Sequence, residues 1–228
     1  MTSENAIGTI TIIGSGSASA TPDIMRVSIS VETRADTVAA AYTRAGERAD
    51  AVISSLRADG VAGRDITTSG LTVRAETVWT EGNREKLVGY IAGTALTVTL
   101  REIAGPDGEA KPAADGGPAA IIAHAVDAGG DDVRLGGLTL TVADEENLMV
   151  RARDAAWDHA LGKAEQYVFR AGRRLGPVLE ITENVSGPAP TPRIAFAANK
   201  MAAPGGAVPV ELGESELSTS VRITWQLA

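Results

Sequence analysis

The stretch Gly14-Ser-Gly-Ser-Ala-Ser-Ala-Thr-Pro22-Asp23 limits what this chain can build. Glycine, one residue, glycine and then small residues resembles the start of a dinucleotide-binding fingerprint. That motif requires a helix to open at once on the second glycine, so that its free amides meet the phosphates. Here Pro22 follows, and Met25, Val27, Ile29 and Val31 then alternate with Arg26, Ser28, Ser30 and Glu32, which is the period of a strand. The phosphate loop is therefore rejected. The pattern predicts two paired strands joined at Pro22-Asp23, with small residues where another backbone approaches closely.

From Val38 the period changes. Val38, Tyr42, Ala45, Ala49, Val52 and Leu56 recur in steps of four and three and predict an amphipathic helix, with Thr33 or Asp36 at its start and Gly60 at its end. Two alternating runs, Asp65 to Trp79 and Leu87 to Leu100, flank a polar link and read as a hairpin. Ala104 to Gly117 reads as a solvated loop. Its Asp107, Glu109 and Asp115 lack the dense oxygen spacing of a calcium loop. Pro118 opens a short helix whose buried side is Ile121, Ile122, Ala125 and Val126, and Gly129-Gly130 close it. Val133 to Val142 returns as a strand. Asp144-Glu145-Glu146 opens the longest helix, with Leu148, Ala152, Ala155, Ala156, Ala160, Ala164, Tyr167, Val168 and Ala171 along one face. Only 4% of the chain is aromatic, so this core of small side chains requires close approach of helix and sheet. Strands over Val178–Val185 and Ser218–Leu227 complete the pattern. Gly187 to Pro209, rich in proline, alanine and glycine, is either a disordered loop or a contact segment.

The expected fold class is α+β: mainly antiparallel sheets with helices packed on one face, in the order strand, strand, helix, strand, strand, helix, strand, helix, strand, strand. Residues 1–6 are expected to be disordered and 7–228 to form one domain, with a division into two subdomains near 102–118 as the alternative.

The side chains supply no reactive constellation. The absence of cysteine removes disulfides, thiolate metal sites and cysteine nucleophiles. Of the two histidines, His124 falls near the apolar side of the short helix and His159 beside Asp158 in the long one; both read as half-buried packing residues. The pairs Asp131-Asp132 and Glu145-Glu146 flank element starts and read as turn and cap residues. Trp79 and Trp225 read as sheet-face packing, Trp157 as the edge of a core or an exposed contact residue. No catalytic, cofactor-binding or metal-ligating residue is assigned, and no cofactor. A net charge of −8, with its densest basic group Arg170, Arg173 and Arg174 at a helix end, excludes nucleic-acid binding. No stretch is long and apolar enough to span a membrane as a helix. Residues 1–6 lack the features of a signal peptide, so the chain reads as cytoplasmic as written, or as exported with its leader already removed.

Several motifs, in order, resemble one family. They are Gly14-x-Gly16 with Ala18, Ala20 and Pro22-Asp23; Leu56-x-x-x-Gly60-Val61-x-x-x-Asp65-Ile-Thr-Thr; Gly89-Tyr90 opening a strand that ends Leu100-Arg101; and Ala152-Arg-Asp-Ala-Ala156, Ala160, Lys163-Ala164 and Leu175-Gly176. Together they resemble the SIMPL-domain family of bacterial exported and immunogenic proteins, over nearly the whole chain from Ile7. The resemblance implies an α+β protein without an established reaction. Some members self-assemble, and others are linked to oxidative stress or to binding a signalling kinase. The chain departs from the pattern in lacking the usual leader and in carrying the Ala104–Gly117 insertion. The function expected is that of a non-enzymatic homo-oligomeric assembly or binding protein. The alternatives are a small-molecule or lipid-binding module with a groove between helix and sheet, and an enzyme of unknown reaction.

Overall fold

A computed structural model describes residues 8–81, 84–112, 116–183 and 210–228. Gly187–Pro209, expected as a disordered loop or a contact segment, the expected disordered residues 1–6 and Asp115 lie outside the described residues. The elements follow in the predicted order: β1 (Thr9–Ala20), β2 (Ile24–Ala35), α1 (Val38–Ala58), β3 (Ile66–Thr80), β4 (Arg84–Arg101), α2 (Pro118–Gly129), β5 (Val133–Thr141), α3 (Glu145–Arg170), β6 (Leu175–Glu183) and β7 (Ser215–Leu227). The fold is α+β, and among the described residues every strand pairing is antiparallel. No helix among the described residues is long and apolar enough to cross a membrane.

The chain divides into two compact units. The first holds β1, β6 and β7 in the order β1-β7-β6, with α3 packed on the sheet. The second holds the four-stranded sheet β3-β4-β2-β5 with α1 and α2. The expected pairing of the first two strands does not form. β1 pairs with β7, Thr9 facing Gln226 and Ala20 facing Ser215, whereas β2 lies between β4 and β5. Pro22-Asp23 passes the chain from one sheet to the other instead of turning it back. Both outcomes give two alternating runs around a proline. The choice between them rests on which distant strand supplies the better apolar partner, and local sequence does not contain that.

In the first unit the small residues of β1 have a single physical reason. A Cβ on Gly14 would lie 2.0 Å from the Ala156 carbonyl oxygen, and one on Gly16 would lie 2.2 Å from the Ala156 amide nitrogen. Alternate strand residues repeat about every 6.8 Å and helix residues four apart about every 6 Å. Gly14 and Gly16 therefore fall in step with Ala152, Ala156 and Ala160, and helix and strand meet backbone to backbone. Beside this contact Ile223 and Trp225 are buried with Ala160 and Ala164. α3 begins at Asp144, whose carboxylate accepts from the Asn147 amide at 2.9 Å. It ends on Gly172 at φ 66°, where the Arg173 amide reaches the Val168 carbonyl at 2.9 Å. Tyr167, expected on the buried face, is exposed.

In the second unit one face of β2 (Met25, Val27, Ile29, Val31) and of β4 (Leu96, Val98, Leu100) meets Val52 and Leu56 of α1 and Ala125 of α2. α1 is capped by Thr37, whose hydroxyl accepts from the Ala40 amide at 3.2 Å, and not by Thr33 or Asp36. Thr33 belongs to β2 and donates its hydroxyl to the Ala41 carbonyl at 2.8 Å. The buried stripe is Ala41, Ala45, Ala49, Val52 and Leu56; Val38 and Tyr42 turn outward. The reason is again close approach: Ala41 and Ala45 pack on Ala92, where a tyrosine would hold helix and sheet apart.

Candidate functional site

The polar residues singled out from sequence are taken up in structural contacts and do not converge. His124 is 57% exposed in its side chain and its Nδ1 sits 3.0 Å from each carboxylate oxygen of Asp59, the residue that ends α1. His159 is exposed, with Nδ1 at 3.1 Å from the Ser15 amide nitrogen and 2.9 Å from its carbonyl oxygen. Both were expected as half-buried packing residues. Each instead ties its helix to a neighbouring element through a polar contact, because a ring placed on an exposed helix flank gains more from a hydrogen bond than from burial. Asp132 pairs with Arg48 at 3.3 Å, Asp131 lies in the short turn before β5, and Glu145 and Glu146 occupy the first turn of α3. Among the described residues no group of three His, Asp or Glu is placed to hold a metal ion.

Asp65 is the most buried acid among the described residues. Arg101 donates to its Oδ1 from Nε at 3.0 Å and from Nη2 at 2.9 Å, which raises the Arg101 guanidinium above its ordinary range. The pair borders a cleft of about 320 Å³ with Lys111, Gly117 and Ile121. In the first unit Trp157, Ile181 and Val221 line a cavity of about 270 Å³ that ends at Glu183. Glu183 accepts from Arg153 at 2.8 Å and from the Thr219 hydroxyl at 3.2 Å. These contacts, the Arg153 bond first, hold the Glu183 carboxyl below its usual range. A carboxyl of lowered pKa adds stability above its unfolded value, about 4.3, and loses it as pH falls through the folded one. The group is too exposed for this to be a large effect. In a carboxyl titration by NMR we expect Glu183 to have a midpoint below that of a free glutamate, returning upward in Arg153→Met; an unshifted midpoint in the native chain would contradict the pairing.

The surface feature that sequence reasoning missed runs along the outer strand β3 from Leu71 to the far end of the β3–β4 hairpin. Trp79 is 69% exposed and Leu71 59%, and Val73, Val78, Leu87 and Val88 are also open to solvent. Trp79 was expected to pack on a sheet face. Leu71 and Val73 lie level with α1, since Val73 faces Ala92, but on the outermost strand, whereas Trp79 lies beyond the stretch where β4 pairs with β2; the same pattern that marks a core face here marks a bare one. By contrast, Trp225 is 2% exposed and packs edge-on against Trp157 at a centroid distance of 6.3 Å, as expected.

Residues 10–225 match the family model described as SIMPL, a protein of unknown function (DUF541). The chain is 29% identical over 225 residues to the 26 kDa periplasmic immunogenic protein of Brucella melitensis, covering 96% of this chain and 84% of that protein. It is 30% identical over 185 residues to YggE of Escherichia coli (strain K12), covering 80% of this chain and 69% of that one. With the expected element order, the antiparallel sheets and a match over nearly the whole chain, this protein belongs to the SIMPL family.

Proposed function

We propose that this chain is a non-enzymatic, self-assembling protein of the bacterial cell envelope. The observation that carries the reading is the outer β3–β4 hairpin, where an indole and several aliphatic side chains stand open on one element. Several large apolar side chains exposed on one element favour an interaction site, because leaving them in water forgoes about 25 cal/mol per Å². The placement outside the cytoplasm, in place of the cytoplasmic expectation, is supported by the relative named as periplasmic.

Light scattering on the purified chain tests the reading. The expected result is a mass that is a multiple of the single chain, falling when Trp79→Ser and Leu71→Ser are combined. A strictly monomeric chain at high concentration would remove the proposal.

A further inference from the structure

Among the described residues the two sheets have four outer strands, and three of them are blunted in recognisable ways. Along β1, α3 covers the free edge: Lys163 donates to the Ile13 carbonyl at 3.2 Å, Arg151 to that of Ser19 at 3.2 Å, and His159 sits on Ser15. β6 contains Pro177, which has no amide hydrogen, inside a stretch where its register with β7 slips. β5 carries a bulge at Gly136-Gly137, with Gly137 at φ 51°. Covering, proline and bulge are the usual means of keeping a strand edge from pairing with another chain.

Among the described residues β3 has none of these beyond residue 70. Its own irregularity lies at Ser69, and the later one, at Val88, belongs to β4. Residues 70–80 therefore form an unbroken outer strand without proline or lysine, and twelve of the fifteen residues of β3 are exposed. The segment is also self-complementary. Arg74 and Glu76 flank Ala75, the midpoint of 70–80.

We infer that two copies of this chain pair antiparallel along β3, about a twofold axis at Ala75. This rests on the self-assembly reading above and names its interface. In this register Arg74 stands opposite Glu76 of the second copy, twice over, and Leu71 stands opposite Trp79, an aliphatic–aromatic cross-strand pair. Moving the axis one residue either way sets Arg74 or Glu76 against its own copy. The Glu76 carboxylate already accepts from Arg34 at 3.0 Å and has lone pairs for a second guanidinium. The two four-stranded sheets become one sheet of eight, and the row of open amides and carbonyls is satisfied.

Because the native chain has no cysteine, single cysteines report this register directly. Directly opposed residues have Cα atoms about 4.5–5.5 Å apart, within disulfide reach. Under mild oxidation Ala75→Cys should give a covalent dimer. Thr72→Cys should not, since its two copies would lie six residues apart, about 20 Å. Arg74→Glu, which places two like-charged pairs at the axis, should raise the dissociation constant about tenfold by light scattering. If the wild type is oligomeric but Ala75→Cys stays unlinked, Thr72→Cys links as readily, or Arg74→Glu changes nothing, the β3 pairing is overturned while self-assembly stands. A monomeric wild type overturns both.

Discussion

Gly16→Ala is expected to destabilise the three-stranded unit by about 3 kcal/mol or more, although it adds a single methyl group. The new carbon would lie 2.2 Å from the Ala156 nitrogen and 2.4 Å from the Ala152 oxygen. Both are backbone atoms of a helix, so no side chain can rotate away. α3 would have to lift from β1 along the Ala152–Ala156–Ala160 line, and the contacts of Ile223 and Trp225 would open with it. Gly162→Ala in the same helix is the control. Nothing lies within 4 Å of a Cβ there, so alanine should stabilise by about 0.5–1 kcal/mol through helix propensity. Urea unfolding followed by tryptophan emission separates the two. Equal midpoints for Gly16→Ala and the parent would show that helix and strand are not in backbone contact.

Trp225→Ala should be the costliest single truncation, at about 3–5 kcal/mol. Trp225 heads the largest fully buried side chains, and its unit has few others of any size: Ala160, Ala164 and Ile223 surround it. Alanines on a helix face cannot swing into the space an indole leaves, so the cavity persists and its cost is added to the lost transfer energy. Trp157→Ala should cost less, because that ring is only partly buried and its edge contact with Trp225 adds about 0.5–1.5 kcal/mol. Chemical denaturation of the two variants gives the order, and a smaller loss for Trp225→Ala than for Trp157→Ala would refute this account of the core.

How much was legible before the structure follows from how local each signal is. The order of the ten main elements was, because a period of two or of 3.6 is written in neighbouring residues. The close approach at Gly14 and Gly16 was legible, and so was the alanine face of α3, but not that each explains the other, since 140 or so residues separate them in the chain. The exposed side chains of β3 were misread for a related reason. Leu71, Val73 and Trp79 alternate as a core face does, and only the tertiary placement of β3, outermost in its sheet and running on beyond the end of β2, decides that no core meets them. The histidines carried least information. Their partners, Asp59 and Ser15, lie 65 and 144 positions away.

Sequence alone thus determined the secondary structure, the absence of thiol chemistry and the family, each a property of residue type and short-range spacing. Tertiary structure alone decided that the first two strands part into separate sheets, that α3 seals the edge of β1, and that no other described strand pairs with the outer side of β3. Those outcomes depend on competition among distant surfaces for burial and hydrogen bonds, and that competition is settled only when the whole chain has folded.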